Sequence, residues 1–392
     1  MKYDVIIVGA GFAGAVMAER YANVAGKKVL ILEKRNHIAG NMYDYIDGNG
    51  VMVHEYGPHL LHTNNKEVID YLTNFTEWFE YQHRVLGYVD GALVPIPFNL
   101  TSIEKCFEEE LAEELKNALI NEYGMEKKVP ILELKQSDNE KVKELADFIY
   151  EKVFKHYTMK QWDLTPEQID PNVTKRVPVF VSRDDRYFQD EYQVMPAAGY
   201  TKLFEKMLAH DNIEVRLNVN ALDHLKVDVE NNKITFDGEK FEGKVIYTGI
   251  LDEVLDYKYG ELNYRSLEFD LESKEVDFYQ PTGTVNYPTP KEEHAFTRIT
   301  EFKHMTLEDK SQKHTTIVTE FPYPYSRLSD KGNVPYYPIF TEENEGAYKK
   351  YSDELAQVSN FIPLGRLAEY VYYNMDAMVG AALQKFKSLE EK

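Results

Sequence analysis

The chain has 392 residues, which is enough to bury a large core and to form two or three domains. Its formal net charge of −21 argues against a nucleic-acid or anionic-membrane surface, because both need a basic patch. Cys106 is the only cysteine, which excludes a disulfide framework and a cysteine-rich metal site. No apolar run approaches the ~18 residues of a spanning helix, and the first strand begins two residues after Met1, so we expect no membrane span, no signal peptide and a cytoplasmic location.

An apolar strand at the start of the chain, residues 3 to 8, runs into the glycine turn Gly9-x-Gly11-x-x-Gly14. Gly9 permits a tight turn, Gly11 lets the backbone approach a pyrophosphate, and Gly14 lets the following helix pack closely on the strand. The N-terminus of that helix then faces the phosphate charge. This pattern predicts a dinucleotide-binding βαβ unit.

The residues after the second strand, 28 to 32, bear on the choice of cofactor. Glu33 ends this strand, where an acid accepts hydrogen bonds from a ribose and disfavours a 2′-phosphate. Arg35 and Gly40 place a cation and another close-approach glycine just beyond it, which suits a longer dinucleotide and favours FAD over NAD. Taken alone, Arg35 is equally consistent with a solvated surface charge.

A hairpin and a group of helices are predicted next. Residues 85 to 94 form the hairpin around the turn Asp90-Gly91, and Pro95 and Pro97 are expected to end it. A capping box at Thr101 to Glu104 opens a helix that ends near Gly124.

A second capping signal, Ser137 to Glu140, opens another helix, so residues 101 to about 170 predict a small helical insertion. Residues 213 to 249 return to strands, with a hairpin turn at Asp237-Gly238. The strand that ends on Gly249 is expected to rejoin the nucleotide-binding sheet, and the last part of the chain predicts a helix that begins near Asp376.

Three clusters could carry chemistry. His59 and His62 have the spacing of one helical turn, but no Cys or carboxylate stands beside them at ligand spacing, so we expect no metal. Closure of a loop and a role beside a cofactor remain open for these histidines.

The segment Tyr157 to Trp162 offers two flat rings and polar donors in a predicted polar loop, as a nucleobase clamp requires, although an aromatic anchor to the core fits equally well. Arg176 and Arg298 stand in apolar surroundings, either as buried ion pairs or as forks for an anion such as a diphosphate.

These motifs occur in one order along the chain, and together the sequence resembles the bacterial UDP-galactopyranose mutases. The segments that carry the resemblance are Gly9 to Gly14, Arg35 to Asn41, Gly57 to His62, Tyr157 to Trp162, Arg176 to Val179, Phe296 to Glu301, Tyr336 to Ile339, and Gly365 with Arg366. The resemblance implies an enzyme that interconverts UDP-galactopyranose and UDP-galactofuranose. It implies FAD in its reduced form, N5 as nucleophile on the anomeric carbon, no net redox, an external electron donor and a homodimer.

The resemblance also implies roles for individual residues. Arg176 and Arg298 would hold the diphosphate, and His59 would lie beside the flavin. The other implied substrate-binding residues are Tyr157, Thr158, Trp162, Tyr187, Tyr337, Tyr372 and Asn374. The other implied cofactor-binding residues are Gly9, Gly11, Phe12, Gly14, Glu33, Lys34, Arg35, Gly40, Asn41, Gly249 and Arg366.

The chain departs from the family pattern at three positions. Ala39 stands in place of a glycine, His83 in place of an asparagine, and Asn374 in place of an aspartate near the substrate. Asn374 therefore leaves open whether UDP-galactose is the sole substrate.

The predicted fold class is α/β, with a Rossmann-like FAD-binding domain, a helical insertion and an antiparallel β-sheet domain. The predicted FAD-binding domain comprises residues 1–78, 195–255 and 341–392. The helical insertion, with a mobile substrate loop, comprises 101–175, and the sheet domain comprises 79–100, 176–194 and 256–340. Two other functions remain open: an FAD-dependent oxidase or dehydrogenase of an amine or alcohol, and a non-enzymatic carrier on the same scaffold, which the intact glycine turn and Glu33 disfavour.

Overall fold

Five apolar runs from distant parts of the chain form one parallel sheet. The computed structural model describes residues 2–163, 178–307 and 310–390. The strand Val5–Val8 is central and pairs with Val29–Leu32 and Lys244–Tyr247, and the outer strands are Ile213–Arg216 and Phe361–Pro363. We call this the nucleotide sheet. Its strands are all parallel, so their carboxyl ends lie at one edge, where ligands bind in doubly wound folds.

Two helices pack together against the nucleotide sheet. The helix Phe12–Asn23 starts at the glycine turn and is buried over most of its length because its sequence is rich in alanine. It contacts the helix Met375–Glu390, where the Tyr21 and Phe386 rings meet edge to face at 5.1 Å. The predicted C-terminal helix is therefore confirmed, as is the return of the strand before Gly249 to this sheet.

A seven-stranded sheet, which we call the large sheet, lies apart from the nucleotide sheet. Its strands in spatial order are Tyr337–Pro338, Tyr264–Lys274, Thr315–Pro324, Arg298–Glu301, Thr284–Asn286, Val85–Val89 and Ala92–Ile96. All neighbours are antiparallel except Thr284–Asn286 with Val85–Val89. The hairpin predicted around Asp90-Gly91 is confirmed, and both turn residues have positive φ, 47° and 87°.

Pro95 does not end its strand, contrary to the prediction. It lies within Ala92–Ile96, which is an edge strand of the large sheet. An edge strand tolerates a proline because the missing N–H can face away from the ladder of hydrogen bonds.

Four smaller sheets complete the strand content of the described residues. Their strands are Leu61–Thr63, Tyr192–Pro196 and Trp78–Glu80; Leu225–Asp228, Lys233–Phe236 and Glu239–Phe241; Val179–Val181 and Lys127–Val129; and Asp44–Ile46 with Met52–His54. The predicted turn at Asp237-Gly238 is confirmed in the second of these. The predicted domain limits at 78/79 and 194/195 both fall inside strands of the first.

The insertion is helical and has its own apolar core. Its described helices are Leu100–Cys106, Glu109–Tyr123, Ile131–Leu134, Glu140–Ile149, the π-helical segment Tyr150–Lys155 and His156–Trp162. The single helix predicted from Thr101 to Gly124 is wrong, because Phe107 is extended and separates two helices.

The helix caps also differ from the prediction. Asn99, not Thr101, caps the first helix through a reciprocal pair of hydrogen bonds with Ser102. Asn139, not Ser137, caps Glu140–Ile149, while the Ser137 hydroxyl donates to Glu122 at 2.7 Å. Asparagine is a better cap residue than threonine and is comparable to serine, so only at Asn139 does a tertiary contact, that of Ser137, decide between the alternatives.

The remaining described helices connect these layers. They are Lys66–Thr73, Tyr200–Met207, Ala221–His224 and Glu342–Leu355, with short 3₁₀ segments at Gly40–Met42, Asp252–Leu255 and Phe302–Met305. Within the described ranges, no helix combines the length and apolar character needed to cross a membrane. The predicted α/β architecture, with a Rossmann-like unit, a helical insertion and an antiparallel sheet, is confirmed.

Candidate active site

A cavity of about 300 Å³ opens at the carboxyl edge of the nucleotide sheet, and we call it the glycine-turn cavity. It continues past the sheet edge to residues of the large sheet and of the C-terminal return. The predicted cofactor residues that line it are Gly9, Gly11, Phe12, Glu33, Lys34, Arg35, Gly40, Asn41, His59, Gly249 and Arg366.

Glycine is required by contact geometry in the turn itself. Gly9 has φ +97°, and a Cβ there would lie 2.2 Å from Thr248 Oγ1. A Cβ on Gly14 would lie 2.0 Å from the carbonyl oxygen of Gly9, although Gly14 does not line the cavity. A Cβ on Gly40 would lie 2.9 Å from the Cα of Gly11. The turn therefore presents bare backbone to the cavity, and Gly14 serves the packing of helix on strand.

Glu33 is buried and held by backbone. Its Oε2 accepts a hydrogen bond from Ala10 N at 2.8 Å and its Oε1 accepts one from Arg35 N at 2.9 Å. Arg35 is not a solvated charge, since its guanidinium lies 4.1 Å from the centre of the Tyr56 ring and donates to Asn41 Oδ1 at 2.9 Å. The acid at the strand end is thus fixed before any ligand arrives.

His59 lines this cavity, and the buried His54 lies behind it. The Nδ1 of His59 donates to the Gly57 carbonyl at 2.8 Å, and its backbone N donates to His54 Nδ1 at 3.0 Å. Burial, with the nearby His54, Arg366 and Arg298, lowers the pKa of His59 to about 3. His59 is therefore neutral, and its other ring nitrogen is a hydrogen-bond acceptor.

The helical turn that His59 and His62 would share does not exist, because His59 lies in a loop and His62 in the strand Leu61–Thr63. Across the described residues, no group of three or more His, Cys, Asp or Glu side chains has the arrangement of a metal site.

A second cavity of about 610 Å³ lies between the helical insertion and the large sheet, and we call it the aromatic cavity. The predicted substrate residues that line it are Tyr157, Thr158, Trp162, Tyr187, Arg298, Tyr337, Tyr372 and Asn374. Arg298, Tyr337 and Asn374 also line the glycine-turn cavity. The two cavities therefore meet at these three residues.

Arg298 is both an ion-pair partner and a wall of both cavities. Its Nε and Nη2 donate to Glu320 Oε2 at 2.9 and 2.6 Å, across a strand pair of the large sheet. Burial alone would lower the pKa of Arg298, but the Glu320 carboxylate together with Tyr157 and Tyr337 outweighs it and the pKa is raised. The sequence left open a buried ion pair and a fork for an anion. The ion pair with Glu320 is present, and Arg298 also lines both cavities, where it can meet an anion.

Aromatic rings stack where the cavities meet. The rings of Tyr337 and Tyr372 are 5.6 Å apart and nearly parallel, at 13°. The Arg366 guanidinium lies 5.2 Å from the first ring centre and 5.1 Å from the second. Burial raises the pKa of Tyr337, so its hydroxyl stays protonated and can donate a hydrogen bond.

The segment Tyr157 to Trp162 is helical, contrary to the predicted loop. Lys160 is buried on the helix face that packs on the large sheet, and its Nζ donates to three backbone carbonyls. Their distances are 2.7 Å to Tyr287, 3.0 Å to His294 and 2.8 Å to Phe296. A lysine at this position made the segment look exposed, whereas its charge is paired with carbonyl dipoles inside.

Arg265 fixes the other end of this helix. It is buried, its Nε donates to the Gln161 carbonyl at 3.0 Å, and its Nη1 lies 3.7 Å from Asp163. A cation at the last carbonyls of a helix also complements the helix dipole. Tyr157 and Trp162 are thus placed on a helix anchored by two buried cations.

Sequence reasoning missed Glu320, Arg265 and the role of Lys160. Glu320 is the single charge of the strand Thr315–Pro324, which is a signal for a buried partner. Arg265 lies in a strand with four other charges, so no such signal was available there. Arg176 lies outside the described residues.

Comparisons with known proteins match the whole chain. A family model described as UDP-galactopyranose mutase matches residues 152–372, and one described as an NAD(P)-binding Rossmann-like domain matches residues 7–75. A UDP-galactopyranose mutase of Mycoplasma pneumoniae is 34% identical over 391 residues, covering 99% of this chain and 96% of the relative. The chain belongs to the UDP-galactopyranose mutase family. The resemblance found in the sequence motifs is confirmed, and the protein is an enzyme of the isomerase class.

Other relatives show the range of the family and of the fold. A dTDP-fucopyranose mutase of Escherichia coli is 32% identical, covering 97% of this chain and 96% of the relative. A crystal structure of reduced UDP-galactopyranose mutase has a TM-score of 0.74 at 16% identity, covering 99% of this chain and 94% of that one. A putrescine oxidase structure has a TM-score of 0.60 at 13% identity, covering 100% and 99%. These two structures show the shared fold alone.

Proposed function

We propose that this enzyme interconverts UDP-galactopyranose and UDP-galactofuranose, with reduced FAD in the glycine-turn cavity and the nucleotide sugar in the aromatic cavity. The observation that carries the proposal is the meeting of the two cavities at Arg298, Tyr337 and Asn374. A sugar attached to a diphosphate at Arg298 would lie between the cofactor and the nucleotide.

The residues of the glycine-turn cavity fit FAD. Bare backbone at Gly9 and Gly11 leaves room for a pyrophosphate, and the fixed carboxylate of Glu33 has lone pairs left to accept from ribose hydroxyls. The cavity continues from Glu33 to Arg366, which suits a cofactor longer than a mononucleotide. Other residues proposed to hold FAD are Phe12, Lys34, Arg35, Gly40, Asn41, His59 and Gly249. We propose the sequence-derived domain limits, with FAD held by residues 1–78, 195–255 and 341–392.

When bound and reduced, FAD would supply N5 as a nucleophile toward the anomeric carbon, so that no net redox occurs. The chain's part is to bind and stabilise charge. Arg298, fixed by Glu320, would stabilise the charge that develops on the departing diphosphate, where preorganised electrostatics contribute most. Arg176, outside the described residues, is proposed to be the second diphosphate ligand.

The aromatic cavity would hold the nucleotide. Tyr157 would stack on the base, with Thr158 and Trp162 beside it on the anchored helix. Hydroxyls of Tyr187, Tyr337 and Tyr372 would bond to the diphosphate. Neutral His59 would accept a hydrogen bond near the flavin and help orient it.

A dTDP-6-deoxysugar is a second candidate substrate. The Escherichia coli relative named dTDP-fucopyranose mutase is nearly as similar as those named for UDP-galactopyranose. Asn374, where the family resemblance implies an aspartate, lines both cavities, at the place proposed for the sugar. An amide can donate as well as accept hydrogen bonds, so it would change which sugar hydroxyls are recognised.

The experiment is an anaerobic assay of the purified holoenzyme after reduction by dithionite, with UDP-galactopyranose and dTDP-fucopyranose in parallel and the products separated by chromatography. We expect UDP-galactofuranose from the first. If only the dTDP-sugar were converted, dTDP-fucopyranose would replace UDP-galactopyranose as the proposed substrate. Net reduction of oxidised flavin by an amine or alcohol would support the oxidase alternative. We also propose that an external electron donor reduces the flavin in the cell, that the enzyme forms a homodimer, and that it is cytoplasmic.

A further inference from the structure

An Asp–His pair borders the aromatic cavity and has no role in the function proposed above. His62 lines this cavity, and its Nδ1 lies 3.0 Å from Asp190 Oδ2. Asn64 Nδ2 donates to the other oxygen of Asp190 at 2.9 Å. The Phe188 ring stacks on the imidazole, with centres 3.6 Å apart and planes within 11°. The imidazole is thus fixed in position by a carboxylate at its edge and a ring on its face.

The pair lies close to the place where the two cavities meet. His59, three residues earlier in the chain, lines the glycine-turn cavity. Thr63 donates to Asp376 Oδ2 at 2.8 Å, which ties the His62 strand to the helix that follows Asn374. His83 behind the cavity wall is within electrostatic range of both His62 and Arg298. His62 therefore lies in the wall of the cavity proposed to hold the nucleotide sugar.

Asp190 leaves one nitrogen of His62 for a ligand. A carboxylate only accepts hydrogen bonds, so Nδ1 carries a proton and donates it to Asp190. Among the residues that the structure describes, Nε2 has no hydrogen-bond partner. An imidazole in a cavity wall, oriented by a carboxylate at one nitrogen and left with the other for a ligand, is the arrangement of a general acid–base catalyst.

We propose that His62 is the acid–base catalyst that moves a proton between two hydroxyl oxygens of the sugar, with Asp190 as its positioning residue. This rests on the proposed function. Changing the ring size breaks the bond between C1 and the ring oxygen O5, which must gain a proton, and forms a bond between C1 and O4, which must lose one. No residue discussed so far carries that proton.

The proton balance closes on one imidazole. Protonated His62 gives its Nε2 proton to O5 as the electron pair of the C1–O5 bond stays on O5, and the pair that C1 then lacks would be supplied by N5 of the proposed reduced FAD. Neutral His62 then takes the O4 proton as an electron pair of O4 forms the bond to C1, and the pair lent by N5 would return to N5. The imidazolium is restored, no proton is gained or lost overall, and the reverse reaction exchanges the two oxygens. The Asp190 carboxylate stabilises the charge of the imidazolium.

The other histidines near the cavities do not suit this role. His59 donates Nδ1–H to a carbonyl, and its pKa of about 3 keeps it neutral. Burial lowers the pKa of His83 to about 3, and His83 does not line either cavity. Within the described residues that line the two cavities, His62 is the histidine with a carboxylate partner.

The test uses His62→Gln and Asp190→Asn in the reduced holoenzyme. The matched control is His224→Gln, because His224 forms a similar pair with Asp237, at 2.6 Å, outside both cavities. General acid–base groups contribute about 100-fold or more, so we expect kcat of His62→Gln to fall by about that factor and Asp190→Asn to lose less. KM and UDP affinity should stay within about threefold, since the nucleotide contacts are intact.

A second readout separates the proton step from departure of UDP. The substrate is labelled with heavy oxygen at the position that joins C1 to the β-phosphorus. Whenever the bond between C1 and this oxygen breaks and reforms, the label scrambles into the other β-phosphate oxygens. We expect scrambling to persist in His62→Gln while ring interconversion is lost. Added imidazole should restore part of the activity of His62→Ala.

Three outcomes would count against the proposal. Wild-type kcat in His62→Gln would overturn it, as would equal loss of scrambling and interconversion, since that would place His62 in UDP departure or in folding. Equal loss in His224→Gln would show a general effect of removing such pairs. Failure of the wild-type enzyme to interconvert the UDP-sugar at all would instead overturn the proposed function.

Discussion

The two cavities of this enzyme differ in what shapes them, which is backbone in one and side chains in the other. The glycine-turn cavity is shaped by backbone, because Gly9, Gly14 and Gly40 leave no space for a Cβ and Glu33 is held by two backbone N–H groups. The aromatic cavity is shaped by side chains of distant segments, with Arg298 and Tyr337 at its inner end. The glycine-turn cavity should therefore lose its ligand when a Cβ atom is added to a glycine. The aromatic cavity should lose function when a charged group or an aromatic ring is removed.

Buried cations show a related contrast within the second cavity's walls. Arg298 is neutralised by the carboxylate of Glu320, whereas the Lys160 Nζ donates to three backbone carbonyls. An ion pair keeps a cation charged over the whole accessible pH range, and carbonyl dipoles do so less strongly. Of these two cations, Lys160 is therefore the one that should lose its charge at moderately alkaline pH.

The largest effect is expected at Arg298. Arg298→Ala removes the proposed diphosphate contact and leaves Glu320 buried without its partner. We expect kcat to fall at least about tenfold, because a charge-assisted contact contributes about 1.5 to 3 kcal/mol and more when charge develops in the transition state. Steady-state kinetics and flavin content measure this, with flavin retained, and Arg176→Ala should behave alike.

Stability distinguishes the two roles of Arg298. Loss of one partner of a buried pair costs about 3 kcal/mol, so Arg298→Ala should unfold at lower denaturant. The double variant with Glu320→Ala should recover stability and remain inactive. Arg186→Ala, which breaks a more exposed pair with Asp184, is the control. Full activity in the double variant would mean that Arg298 is only structural.

Gly14→Ala should remove the cofactor. The added Cβ would lie 2.0 Å from the Gly9 carbonyl, so the helix must move away from the turn. We expect colourless protein with little FAD by absorbance. Gly346→Ala is the matched control, because its Cβ would meet no atom within 4 Å. Full flavin content in Gly14→Ala would contradict the close-packed turn.

Lys160 should give a smaller, pH-dependent effect. Burial lowers its pKa from 10.5 to about 8. Between these values the unfolded chain binds the proton and the folded chain does not, so this group's contribution to the free energy of unfolding rises with pH. The slope is roughly 1 kcal/mol per pH unit. Denaturation of Lys160→Met should lack this rise, whereas Lys143→Met, which changes a partly exposed surface lysine, should retain it.

The smallest effect is a change of fluorescence. Trp162 lies on the wall of the aromatic cavity, 6.3 Å from the Tyr337 ring, so UDP should change its emission. Trp78, whose Nε1 donates to Thr73 at 3.0 Å, gives the background. Titration of Trp78→Phe should keep the response, and an undiminished response in Trp162→Phe would place UDP elsewhere.

Much of the nucleotide-binding part could be predicted because its signal is local. The turn from Gly9 to Gly14 and the acid Glu33 lie within one βαβ unit, and the hairpins at Asp90-Gly91 and Asp237-Gly238 have positive φ at both turn residues. Errors came where tertiary contacts decide. Phe107 breaks a helix that its periodicity would continue, and its ring instead packs 4.7 Å from Phe148.

The aromatic cavity was less accessible to sequence reasoning. Its residues come from segments that only the fold brings together, so motifs identified Tyr157 and Arg298 but not the partners that fix them. Lys160 was interpreted as a surface residue. Its acceptors are backbone carbonyls of residues 287, 294 and 296, which every residue has, so the sequence does not reveal them. Asp190 is far from His62 in the chain, and nothing in the sequence joins them.

The most direct test of the account counts turnovers against electrons. The holoenzyme is reduced by light or by one equivalent of dithionite, excess reductant is removed, and UDP-galactopyranose is added without oxygen while the visible absorbance of the flavin is followed. We predict many turnovers to UDP-galactofuranose per flavin, with the flavin remaining reduced, and none by the oxidised enzyme. Turnover by the oxidised enzyme, or one flavin oxidation for each sugar converted, would contradict the mutase assignment and its proposed cofactor chemistry.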